Sequence, residues 1–156
     1  AAIMGKKLGN KADILLFDMA NSWRGDRDGY EFYTMPSTSS VLSERQAIEA
    51  RRDGGGTNFD LIFNPLTKSY DRIVILSDMQ AWAASDAPVG VYKDYCKRTG
   101  ADPNIFSFDL TGYGTLQMPQ SKVYCLAGFS DSVFDIMALL EEDKDALLNM
   151  VEAIEI

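Results

Sequence analysis

The sequence predicts an α/β protein of three layers, with a mostly parallel sheet held between helices. Three observations lead there. The runs 12–17, 73–76 and 123–128 are short, continuous and apolar, the pattern of strands covered on both faces. Between such runs lie stretches with helical spacing, and strands alternating with helices build parallel sheets. Two of the runs also stop at an acid, Asp18 and Asp78, which places carboxylates at the carboxyl edge of the sheet, where this architecture binds ligands. With 156 residues, 46% of them hydrophobic, the chain is long enough to bury about 70% of its unfolded surface around one core. A single domain over 1–156 is the expectation.

Taken in order, residues 1–10 read as the end of a helix. Ala1, Met4 and Leu8 are apolar, Lys6 and Lys7 occupy the last turn, and Gly9 and Asn10 are stop signals. No cap or first turn precedes them, so the chain reads as lacking an upstream portion. Strand 12–17 follows, then a polar, glycine-rich loop over 21–29. Residues 30–35 form an edge strand closed by Pro36. The serines at 37, 39 and 40 supply caps for a polar helix over 41–52, with Ile48 among its few apolar anchors. After the turn Gly54-Gly55-Gly56-Thr57-Asn58 comes a short helix over 59–66, then a buried strand over 73–76. A helix over 89–97 is ended by Gly100. Strands at 104–110 and 123–128 flank a loop that holds Gly112, Gly114 and Pro119. The chain closes on one long amphipathic helix carrying Val133, Ile136, Met137, Leu140, Leu147, Leu148, Val151 and Ile154, with Ser130 as its N-cap and Asp131 at its positive end.

Composition excludes several kinds of chemistry. The chain has no histidine, so Ser-His-Asp and Cys-His catalysis and histidine-ligated metals are ruled out within it. Its two cysteines, Cys96 and Cys125, lack any zinc-type spacing and suit a reducing compartment. A net charge of −8 disfavours contact with phosphate backbones or anionic membranes. No stretch approaches the ~20 apolar residues that cross a bilayer, and no signal peptide opens the sequence. The expectation is a soluble, cytoplasmic protein without a membrane partner.

The turn at 54–58 and the strand Arg72-Ile73-Val74-Ile75-Leu76-Ser77-Asp78 present a hydroxyl and a carboxylate to the same sheet edge. Hard cations such as Mg²⁺ take oxygen ligands of this kind. The order of these two segments, with strands like 105–110 and 123–128 and a final helix, resembles a von Willebrand factor A domain. It is most similar to the one that ends TROVE proteins, the Ro autoantigen family. The resemblance implies a Rossmann-like fold and a metal-ion-dependent adhesion site of three loops, in which Thr57 matches the family's threonine and Asp78 its final acid. The third loop, Asp-x-Ser-x-Ser after a central first strand, has no match ahead of the helix with which the chain begins. Asp18-Met19-Ala20-Asn21-Ser22 comes close, with alanine in place of the first serine, but a loop sequence follows it instead of a helix. That first strand is therefore expected to be missing from this chain. The resemblance further implies a non-enzymatic module whose metal, Mg²⁺ or another divalent ion, takes an acidic side chain from a protein partner. RNA binding in the family belongs to a ring of helical repeats, which this chain does not contain.

Other readings of the same residues stand beside this one. The glycine turn also suits a helix stop followed by a helix cap, or a nest for an anion, although no Walker-type lysine accompanies it. Asp78 also suits a turn cap, or a general base in a Rossmann-like enzyme, although no nucleophile motif supports the latter. A protein-interaction domain with a degenerate metal site is the remaining alternative. Arg24-Gly25-Asp26 reads as a coincidental tripeptide, Trp23 and Trp82 as half-buried packing residues, and Cys125 as core.

Overall fold

The computed structural model describes residues 12–18, 29–36, 39–51, 57–78, 88–112, 122–128, 130 and 132–152. The helix end at 1–10, the loop at 21–28, the three glycines of the turn, both tryptophans and the Arg-Gly-Asp tripeptide lie outside them. Two compact units emerge: Ala1–Pro65 with Ala81–Ser85, and Leu66–Gln80 with Asp86–Ile156.

In the first unit, β1 (Ile14–Phe17) pairs antiparallel with β2 (Tyr30–Tyr33), Ile14 opposite Tyr33 and Phe17 opposite Tyr30. The sequence suggested a parallel strand covered on both faces. All four β1 residues are instead half-buried, as befits one strand of a two-stranded ribbon. Helix α1 (Val41–Glu49) begins where the Ser40 side chain accepts the Ser43 N–H at 3.1 Å, the cap that its serines foretold. Its buried residue is Glu44; Ile48, expected as the anchor, is only half-buried. Glu44 goes inside because Tyr33 supplies a donor for its carboxylate. Helix α2 (Asp60–Phe63) is a single turn, shorter than the expected 59–66, and it packs on β1. Phe59 meets Phe17 edge to face, with ring centroids 6.2 Å apart.

The second unit is the parallel α/β structure that the sequence predicted. Strands β3 (Arg72–Ser77), β4 (Asn104–Asp109) and β5 (Val123–Ala127) lie side by side in that order, all parallel, with Ser77 beside Asp109 and Asp109 beside Ala127. Helix α3 (Pro88–Thr99) crosses over from β3 to β4, and Gly100 ends it at φ 70°, the left-handed conformation of a helix stop. Its Tyr95 is fully buried: the phenol donates to the Lys68 carbonyl and accepts the Tyr70 N–H, pinning the approach to β3. From the same helix, Arg98 donates to the Leu66 carbonyl at 2.7 Å.

Because side chains alternate across a strand, Phe106 and Phe108 share one sheet face with Tyr124 and Leu126. Helix α4 (Ser132–Glu142) covers that face, Val133, Met137 and Leu140 falling at helical spacing into one cluster with the two phenylalanines. Phe106 stacks on Tyr124 at 5.2 Å. The same face continues onto β3, where Val74 and Leu76 are each 46% exposed. The sequence suggested that 73–76 is buried throughout, but only its other face is shielded, with Ile75 at 2%. Among the described residues no strand pairs with the outer edge of β3.

Two further expectations are corrected. The closing helix is not continuous: α4 stops at Glu142 and α5 (Ala146–Glu152) restarts after a turn. Asp143 makes the break, its Oδ1 accepting the Asp145 N–H at 2.9 Å and its carbonyl the Ala146 N–H, so an acid competes with the helical ladder for backbone donors. Cys125, read as core, is exposed: it points away from α4, on a strand that among the described residues pairs only with β4. Among the described residues no helix is long and apolar enough to cross a membrane.

Candidate functional site

Asp78 follows the last residue of β3, at the carboxyl edge of the parallel sheet, and is half-buried. That is the edge at which open α/β sheets bind ligands. Its Oδ1 lies 3.5 Å from the hydroxyl of Ser77, itself 8% exposed. The ladder between β3 and β4 ends here, with the Leu110 N–H donating to the Ser77 carbonyl at 3.0 Å.

The neighbouring strand ends in a second acid that sequence reasoning passed over. Asp109 is 6% exposed, and its Oδ1 accepts three hydrogen bonds: from the Gly112 N–H at 2.8 Å, the Thr111 N–H at 3.1 Å and the Thr111 hydroxyl at 3.3 Å. A buried carboxylate needs such donors to remain folded in. Its carbonyl takes the Gly128 N–H at 3.2 Å, joining the end of β5 to the same edge. A signal was present in the sequence. In 105–109 the polar residues Ser107 and Asp109 alternate with Phe106 and Phe108, so one face of a central strand turns polar towards the site, and a Thr-Gly turn follows. Ser107 is 1% exposed.

Cys125 shares the face of Asp109. Partial burial and the Asp109 charge push its thiol above the ordinary cysteine range, so it is a poor nucleophile at neutral pH.

Thr57, the other predicted ligand, lies in the first unit just ahead of α2 and is half-buried. The helix is not capped by its hydroxyl. Asn58 Oδ1 takes the Asp60 N–H at 3.0 Å, and the Thr57 side chain enters no hydrogen bond among the described residues. Asp60, three residues on, is 3% exposed.

A hydroxyl and a carboxylate each have the hard-oxygen character that Mg²⁺ or Ca²⁺ takes. Among the described residues no three Asp, Glu or Cys side chains are grouped as a metal site. Thr57 lies in the first unit of the chain and Asp78 in the second.

Compared with protein-family models, curated proteins and solved structures, the chain matches none.

Proposed function

We propose that this chain is a non-enzymatic binding module of von Willebrand factor A type, taking a divalent cation at Asp78. The observation that carries the reading is the place of Asp78, a half-buried carboxylate at the carboxyl end of a strand in a parallel sheet. Magnesium keeps several waters and binds through few protein oxygens, so water and an acidic side chain from a protein partner complete the shell. The ion, when bound, serves as the electrophile that holds that carboxylate, and Asp78 orients it. On this reading RNA binding belongs to a separate helical-repeat part of a TROVE-type protein, because an acidic chain repels a phosphate backbone.

Titration calorimetry with MgCl₂ and CaCl₂ on the whole chain tests the reading. Binding that Asp78→Ala abolishes, at unchanged thermal stability, is the expected result. Heats that are absent from the parent chain, or that survive Asp78→Ala, sink it. The rival is an interaction module that uses no metal, and the exposure of Val74 and Leu76 on β3 favours it. The same titration decides between the two.

A further inference from the structure

We propose that the outer edge of β3 pairs antiparallel with the same edge of a second copy of this chain, Val74 of each copy opposite Leu76 of the other. The Asn104 N–H donates to the Asp71 carbonyl and the Leu110 N–H to the Ser77 carbonyl, both towards β4. In a parallel ladder alternate residues turn both backbone groups to the same side. The odd positions from 71 to 77 therefore serve β4, and Arg72, Val74 and Leu76 turn their N–H and carbonyl groups outward. These three are also the exposed residues of the strand, and their side chains share one sheet face.

From Ile73 to Leu76 this edge carries no proline, glycine or charge, the devices with which natural edges discourage pairing. Among the described residues no strand occupies it. Symmetry then selects the register. In an antiparallel pair about a twofold axis, outward-turned residues face outward-turned residues. An axis through Ile75 sets Val74 opposite Leu76, each such pair exchanging N–H and carbonyl bonds, and sets Arg72 opposite position 78 of the second copy, where Asp78 stands. A shift by two residues either way puts Arg72 opposite Leu76, or Asp78 opposite Val74, a charge against an apolar side chain. One register thus matches apolar to apolar and cation to anion at both ends of the strand. Arg72 also pairs with Glu141, and the Asp78 carboxylate lies near the Ser77 hydroxyl, but a guanidinium fork and a carboxylate can each hold more than one partner. The axis is perpendicular to the sheet, so Val74 and Leu76 of both copies meet on one face and lose water that each keeps alone at 46% exposure. One strand per copy is a narrow contact, below about 1,200 Å² in total, so the dimer forms and parts with concentration.

The pairing does not depend on a cation at Asp78, and measurements in EDTA keep the two apart. Sedimentation equilibrium of the whole chain from about 1 µM to about 1 mM reads association, with amide hydrogen exchange at both ends of the range and thermal melting alongside. The expected result is a monomer–dimer equilibrium in which exchange at the Val74 and Leu76 amides slows about 10-fold or more as the dimer fills. Val74→Lys and Leu76→Glu, each at an exposed position, keep the melting temperature and each weaken association about 10-fold or more. Both substitutions in one chain restore it, because each lysine then faces a glutamate of the other copy, whereas the shifted registers would bring like charges together. No association by about 1 mM overturns the proposal, as does association that both single variants leave intact, or a double variant no closer to the parent than they are. Edge amides already protected in the monomer show that another part of the chain occupies the edge, and overturn it too. Should a substitution unfold the chain, the concentration dependence of the two amides in the parent decides.

Discussion

Tyr33 donates its phenolic proton to Glu44 at 2.5 Å, and this buried contact ties β2 to α1. Arg51 reinforces the junction, with its guanidinium 4.7 Å from the centre of the Tyr33 ring and 3.2 Å from the Glu31 carboxylate on the same strand. The hydrogen bond requires the phenol in its protonated form.

A pH dependence follows. The hydrogen bond to Glu44, then burial, then the Glu44 charge raise the phenol above its usual range, against a smaller opposing pull from Arg51. A group whose pKa is raised by folding stabilises the fold fully below its unfolded value and loses that contribution as pH climbs through the folded one. The urea midpoint of the parent chain should therefore fall more steeply than that of Tyr33→Phe as pH rises above about 10. Parallel curves would exclude this coupling.

Leu76 and Phe108 are register partners on one sheet face, yet they differ in cover. Phe108 is 1% exposed beneath α4, so Phe108→Ala should cost about 3–5 kcal/mol in urea unfolding. Leu76→Thr, at an exposed edge that tolerates β-branched residues, should stay within about 0.5 kcal/mol. Equal losses at the two positions would show that something covers Leu76 in solution.

Two glycines in and after α3 separate backbone strain from backbone entropy. Around Gly100 there is room for a Cβ, but φ is 70°, so Gly100→Ala should destabilise by roughly 1–2 kcal/mol. Gly90 also has open space and lies within the helix, so Gly90→Ala should stabilise by about 0.5–1 kcal/mol. Thermal melts of the two variants should move in opposite directions.

How far the sequence could be read depended on the range of the forces at each place. The α3 stop at Gly100, the Ser40 cap and the strands at 104–109 and 123–127 were legible, because turn chemistry and apolar periodicity are local. The antiparallel pairing of β1, the open face of β3 and the exposure of Cys125 were not. Each depends on which strands become neighbours and where a helix comes to rest. The break at Asp143 was missed for a different reason: apolar spacing persists across it, while one side chain captures the backbone donors. At the candidate site, Asp78 was legible as a strand-end acid. Asp109 was hidden inside a strand, and only the period-two polarity of Ser107 and Asp109 marked it.

The offset cover of the parallel sheet also sets how it can open. Strand β4 is hydrogen-bonded on both sides and buried from Ile105 to Asp109, whereas among the described residues β3 and β5 each have one strand partner, and both carry exposed residues. Either outer strand can peel away at the loss of one ladder. Strand β4 cannot detach without breaking both ladders and emptying the phenylalanine cluster, so its local opening free energy approaches that of unfolding the whole unit. Asp109 sits at the end of this least mobile strand, and a turn anchored there inherits its stillness.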